Sequence, residues 1–316
     1  MSYGRKIKYY LKENCLLPPD EDTLPFVEKF CNDFKDHIIA IILYGSCLHP
    51  STRRQTSTHD FYIIIDSYRN VLPNFMHSFL NLILPPNVYY IQIREGDKIL
   101  EAKYNTITLD DFKRETSISA RDIFTLGRFG KKVGILYIKQ GYEDVLIDCI
   151  YNAMFANAWF TLFRMDGVFE LHQFICSLLT MSYSGEVRIE RDTKVQELFE
   201  AGKDFYRFVY SNILNEISIQ THIVQKHGEH YVLNNNKVEI SIRRKKIEKF
   251  IQRSRYLSIL RWPKSIYTFG NYVDYLLLKV ERTKGIKIEL TPLERKFPLI
   301  FGWRHFFRLL RKGMIK

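Results

Sequence analysis

The pattern of apolar and polar positions divides the chain into an alternating first part and a helical second part. Leu24, Phe26, Val27, Phe30 and Phe34 recur near helical spacing. Ile38 to Leu43 is then a continuous apolar run of the length and composition of a buried strand. After Gly45-Ser46 and a polar loop from Cys47 to His59, Phe61-Tyr62-Ile63-Ile64-Ile65 predicts a second strand, because β-branched and aromatic residues suit a pleated surface. Asn87 to Ile93 and Val133 to Ile138 predict two more. From Glu143 the pattern changes to long apolar helices, expected at Glu143 to Met165 and Val168 to Met181. Tyr231 to Ile242 alternates around Asn234-Asn235-Asn236 and predicts a hairpin, and Arg243 to Leu260 predicts a basic helix.

These elements predict an α+β protein. A mixed-sheet domain over 1–140 precedes a helical, winged-helix-like domain over 141–240 and a basic C-terminal region over 241–316. The richest apolar stretch, Met154 to Phe163, is shorter than a bilayer crossing requires. Met1 to Asn14 lacks the apolar segment and cleavage site of a secretory signal. The five cysteines are scattered and never in a C-x-x-C pair, which argues against a disulfide framework or a zinc site and fits a reducing compartment.

Charge adds a partner. The 316 residues carry a net charge of +12, yet residues 241–316 hold 20 Lys and Arg against 5 Asp and Glu, while the first 240 hold 27 against 30. Such asymmetry points the C-terminal region at a polyanion, either an acidic membrane surface or nucleic acid. Trp303, Phe306, Phe307 and Leu310 at helical spacing, opposite Arg304, Arg308 and Arg311, are the pattern of an interfacial membrane helix.

The chemistry concentrates where the first strand ends. In Tyr44-Gly45-Ser46 two small residues let backbone N–H groups and a hydroxyl approach a phosphate, and Asp60 opens the next strand fourteen residues after Ser46. Strand, Gly-Ser, loop, acid and strand is the layout with which polymerase-β-like nucleotidyltransferases place a triphosphate beside a carboxylate-held metal. The second carboxylate usual two residues on is absent, since position 62 is Tyr. Asp66 is too far along the strand to share a metal with Asp60. Arg53 and Arg54, in the intervening loop, read as exposed charge, and His59 as a strand-edge residue.

The chain resembles the mitochondrial-type phosphatidate cytidylyltransferases, also called the translocator assembly and maintenance family, which pair a Tyr-Gly-Ser turn with a single leading Asp. The likeness recurs in order at Val88-Tyr89-Tyr90, at Lys103-Tyr104-Asn105-Thr106-Ile107 and at Gly127-Arg128-Phe129-Gly130-Lys131-Lys132-Val133. It continues at Met181 to Arg188 with Thr193-Lys194-Val195, and at Ser265 to Gly270. The family's Trp-His-x-x-Asn and His-Tyr-Ser elements have no clear counterpart between Ser67 and Pro86, and its Asp in the Ser-Tyr-x-Gly-Asp stretch is Glu186 here.

The resemblance implies transfer of a cytidylyl group from CTP to phosphatidate with Mg²⁺ at a membrane surface, on a bacterial cytoplasmic or mitochondrial matrix face. It implies Asp60 and Glu186 as metal ligands, and Tyr44, Gly45, Ser46 and Lys131 about the triphosphate. Lys103 and Arg128 would then stabilise the transferring group, and Arg188 and Lys194 would hold the lipid phosphate. Two alternatives are a nucleotidyltransferase acting on RNA or another phosphorylated acceptor, and a non-enzymatic membrane assembly factor on the same fold. No RNA-binding signature beyond charge accompanies the first.

Overall fold

The computed structural model describes residues 2–48, 58–72, 75–96, 98–185, 193–234 and 237–269, together with 277, 281 and 290–296. Arg53, Arg54, Glu186, Arg188 and the segment from Trp303 to Arg311 lie outside the described residues.

A five-stranded mixed sheet organises the first half, in the order β3-β4-β2-β1-β5. The strands are β1 (Ile38–Tyr44), β2 (His59–Ile65), β3 (Asn87–Glu95), β4 (Lys98–Thr108) and β5 (Gly134–Ile138). All pairings are antiparallel except β2 with β4. The apolar runs of β1 and β2 are buried along nearly their whole length because both sheet faces are covered. On one face Phe61, Ile63 and Ile65 pack with Phe26, Phe30 and Phe34 of helix α2 (Leu24–Phe34). On the other, Ala40, Ile42, Tyr62 and Ile64 join the core of the helical half.

The helices of the first half are short: α3 (Tyr68–Val71), α4 (Phe75–Ile83), α5 (Leu109–Glu115) and α6 (Ile123–Phe129). Asp122 caps α6 by accepting from the Phe124 N–H at 2.8 Å. The N-terminal helix α1 (Tyr3–Cys15) buries Ile7, Leu11 and Cys15 and packs on the second half, against α7 (Glu143–Leu162) and α10 (Lys203–Thr221). Helix α7 is long and apolar enough to cross a bilayer. Here it is a core helix, burying Ala153, Ala156, Ala158 and Leu162 among α1, α6, α8 (Leu171–Ser184) and α10.

Two local expectations are corrected. The segment predicted as helix from Val168 starts as a strand, β6 (Val168–Glu170), and α8 begins at Leu171 behind a capping box of Glu170 and Gln173. The hairpin lies before its predicted place, as β7 (Val224–His227) and β8 (His230–Leu233), turning at Gly228 with φ +60°. Lys237 already begins the long helix α11 (Lys237–Thr268). The turn needs a left-handed backbone, which Gly adopts without penalty, so Gly228 rather than the asparagine run sets the reversal.

Helix α11 returns to the first half. Its inner face, Ile247, Ile251, Ser254, Ser258, Arg261 and Ser265, is buried, and the helix packs against α6 and β3. Arg261 donates to Pro85 O and to Asp122 Oδ2, both at 2.8 Å. Lys264 donates to the carbonyls of Leu84 and Pro86. Burial and the neighbouring Arg261 hold the Lys264 ammonium well below its ordinary pKa, with Asp122 opposing.

Candidate active site

The site grows from strand register. Tyr44, the last residue of β1, lies opposite Asp60 on β2, and Asp60 lies beside Lys103 on β4. The three central strands therefore set a phenol, a carboxylate and an ammonium in one row across the sheet. Lys103 Nζ meets Asp60 Oδ1 at 2.8 Å, with the two side chains 20% and 22% exposed. The pair is reachable by a ligand.

Gly45 closes the row. Its φ is +85°, and a Cβ there would lie 3.1 Å from Asp60 Oδ2. A residue without a side chain thus brings the backbone of the turn directly over the carboxylate. Ser46 follows in a one-turn 3-10 helix, Ser46–Leu48.

Tyr44 ties this row to the helical half. Its hydroxyl accepts from Asn105 Nδ2 at 2.8 Å, and the same amide donates to Phe61 O at 3.2 Å. The Arg128 guanidinium stands 5.7 Å from the Tyr44 ring centre and 3.7 Å from that of Phe124. Burial first, and then the Asp60 charge, raise the Tyr44 phenol above its ordinary pKa, while Arg128 and Lys103 pull it down. It stays a neutral hydroxyl. Arg128 comes from the last turn of α6, where a cation also meets the negative end of the helix dipole.

Helix α6 is fixed by close approach. A Cβ at Gly127 would lie 2.7 Å from Ser182 O, and one at Gly130 would lie 2.6 Å from the Asn157 amide. Asn157 donates to Leu126 O at 2.8 Å, and the Tyr210 hydroxyl donates to Gly130 O. The Ser182 to Gly185 stretch is clamped between α6 and α11. Ser254 Oγ donates to Gly185 O at 2.9 Å and accepts from the Ile123 N–H at 3.0 Å, and Arg255 donates to Ser184 O at 2.7 Å. Lys131 Nζ stands 4.1 Å from the centre of the Tyr183 ring in that stretch.

Of the expected site residues, Tyr44, Gly45, Asp60, Lys103 and Arg128 come together. Lys131 sits beyond α6 against Tyr183. Lys194 opens α9 (Lys194–Ala201), and its side chain is outside the description, as are Glu186 and Arg188. Asn105 was missed by sequence reasoning. It lies two residues after Lys103 on β4, and so on the same face, which becomes readable only once β4 is known to be a strand.

The missing second carboxylate has a packing cause. Tyr62 is wholly buried, its ring 5.1 Å from Phe129 and 5.4 Å from Tyr44, its hydroxyl 3.0 Å from Thr125 Oγ1. Burial pushes this phenol's pKa up strongly, and it would penalise a carboxylate in its place. Asp66 follows the end of β2 and pairs with His37 Nδ1 at 2.9 Å. His59 is the first residue of β2, at the strand's edge as expected, and is buried against Phe26 and Phe61.

The family model described as "Phosphatidate cytidylyltransferase, mitochondrial" matches residues 66–264. The chain belongs to this family. It is a nucleotidyltransferase by that membership, and the family's substrates are CTP and phosphatidate. The match runs through 67–86, where two family elements had no evident counterpart, and includes Lys103, Arg128 and Lys131; Tyr44, Gly45, Ser46 and Asp60 precede it. Among solved structures, a nucleotidyltransferase-like protein from Exiguobacterium sibiricum aligns over 93% of this chain and 91% of its own, at 9% identity and a TM-score of 0.26. Overlap that loose carries no argument about the site. Among curated proteins no match is found.

Proposed function

We propose that the chain makes CDP-diacylglycerol at a membrane surface by the reaction of its family, with Asp60, Lys103, Gly45, Tyr44 and Arg128 as the catalytic row. The observation that carries this reading is the Asp60–Lys103 pair lying against Gly45 at the mouth of three adjoining strands. Gly45 and Ser46 take the β- and γ-phosphates of CTP, and Lys131 adds charge to the triphosphate. An oxygen of the phosphatidate phosphate attacks the α-phosphorus. The bond from that phosphorus to the bridging β-phosphate oxygen breaks, and pyrophosphate leaves. Such transfers depend chiefly on positioning and on neutralising oxygen charge. Lys103 and Arg128 supply that neutralisation from fixed positions.

Mg²⁺ suits this donor set. Among the described residues no three His, Cys, Asp or Glu side chains cluster into a cage. A hard cation of this size typically takes one or two carboxylates and completes its shell with water and substrate phosphate. Asp60 is the carboxylate at hand, with Glu186 as the second acid. The metal would lower the charge on the triphosphate when bound. The Tyr44 hydroxyl, held by Asn105, stands in the row on the strand beside the carboxylate. Arg188 and Lys194 are assigned to the lipid phosphate and the matrix face of a mitochondrial membrane to the location.

The test is pyrophosphate release from CTP with Mg²⁺ and phosphatidate liposomes, with the lipid product identified. Lipid-dependent release giving CDP-diacylglycerol supports the reading. No turnover of CTP and phosphatidate by the wild type overturns it.

A further inference from the structure

Helix α4 is built inside out. Its polar residues Ser78 and Asn81 are the buried ones, Ser78 Oγ donating to Tyr68 O at 3.0 Å and Asn81 Nδ2 donating to Thr106 O at 3.0 Å. Its large apolar residues face outward: Phe75 is 78% exposed, Leu82 63%, and Met76, Phe79 and Ile83 are exposed as well. An ordinary surface helix has the reverse arrangement, with its apolar stripe on the core. The nine residues of α4 include no Asp, Glu, Lys or Arg.

The outer face of α11 continues this surface. Lys245, Lys249, Tyr256, Leu260 and Tyr267 are all exposed and follow one another at intervals of 4, 7, 4 and 7, which keeps them on one side of a helix. The stripe is basic in its first half and apolar in its second, with exposed Arg253 beside it. The apolar half meets α4, since the Tyr267 and His77 rings are 5.1 Å apart. Both helices are anchored to the catalytic half from below. The chain leaving α4 gives the carbonyls of Leu84, Pro85 and Pro86 to Lys264 and Arg261, and Arg261 also holds Asp122, the cap of the helix that carries Arg128.

We propose that α4 and the outer face of α11 form the surface that seats the enzyme on an anionic bilayer, with Phe75, Met76, Phe79, Leu82 and Ile83 entering the acyl boundary and Lys245, Lys249 and Arg253 lying among the headgroups. The occupant follows from the chemistry of the face. An uncharged aromatic and aliphatic patch flanked by cations matches an interface whose interior is apolar and whose rim is negative. The proposal rests on the reading that the acceptor is a bilayer lipid. It adds which side of the molecule meets the lipid, and it uses residues distant in sequence from the C-terminal stretch in which the amphipathic pattern is plainest.

The decisive variant is the triple change Phe75→Asp, Phe79→Asp and Leu82→Asp, checked for an unchanged melting temperature because all three sites are exposed. Sedimentation with vesicles of phosphatidylcholine plus phosphatidylglycerol reads docking without turnover. The variant should bind at least about tenfold more weakly, while its turnover of a short-chain, water-soluble phosphatidate stays at the wild-type level. Lys245→Glu with Lys249→Glu should abolish the preference for phosphatidylglycerol over phosphatidylcholine alone. Vesicle binding that survives the triple change overturns the proposal, as does a wild-type dimer in solution that the triple change dissociates, since the face would then meet a second copy. Failure of the wild type to use CTP and phosphatidate would refute the catalytic reading instead, and the sedimentation result would stand apart from it.

Discussion

The two faces of β2 do different work with the same alternation. Phe61, Ile63 and Ile65 point into the cluster with α2, where Phe61 lies 5.5 Å from both Phe26 and Phe30. Asp60, Tyr62 and Ile64 point the other way, and along that face the environment changes from a partly exposed carboxylate to a wholly buried phenol within two residues. The site is therefore confined to the strand's first turn of the pleat. A second acid on this strand has no place, because the next position on the same face is already interior. The contrast explains why this face of β2 carries a carboxylate at its first accessible position and none further in.

Asp60→Ala should lower kcat/KM for CTP by about a thousandfold or more, the scale of losing one preorganised electrostatic group or metal ligand, with the melting temperature nearly unchanged because the side chain is partly exposed. Steady-state pyrophosphate release beside a thermal melt separates the two effects. Tyr62→Asp should do the reverse of restoring a carboxylate pair. It should destabilise the fold by about 3–5 kcal/mol, through lost aromatic packing and an unpaired buried charge, as read by urea unfolding.

Phe61→Ala, on the opposite face, should cost about 3–5 kcal/mol of stability by leaving a cavity, while the molecules that remain folded keep the wild-type KM for CTP. A raised KM there would mean that the two faces are not independent. Gly45→Ala forces a side chain into a left-handed backbone against Asp60 and should cost about 1–2 kcal/mol, raising the KM for CTP more than it lowers stability. Tyr44→Phe is the mildest change. Removing the hydroxyl that accepts from Asn105 should cost about 1 kcal/mol, a loss in kcat of less than about tenfold.

The row around Asp60 was legible because its residues sit at the ends of two strands whose apolar runs announce them, joined by a turn that needs small residues. Strand β4 was not predicted as a strand: Lys98 to Thr108 mixes charged, aromatic and β-branched residues, and its place beside β2 comes from pairing rather than from its own pattern. Asn105 was hidden with it. Arg261 and Ser254, which fix the start of α6, are supplied from more than a hundred residues away, and no local spacing reports such a contact.

Apolar composition by itself does not report destination. Helix α7 has the length and hydropathy of a membrane span and is core, whereas α4 is short and turns its apolar face outward. What separates them is which side chains the neighbouring backbone can satisfy. In α4, Ser78 and Asn81 turn inward and donate to the carbonyls of Tyr68 and Thr106, and the apolar residues are left outside.

The central claim is that Asp60, with Gly45 above it and Lys103 beside it, is where CTP and its cation meet the protein. Calorimetric titration of CTP in the presence and absence of Mg²⁺, on wild type and Asp60→Asn, tests it without lipid or turnover. The account predicts Mg²⁺-enhanced CTP binding to the wild type and loss of that enhancement, at unchanged fold, in the variant. Equal Mg²⁺-dependent binding by the two proteins would contradict it.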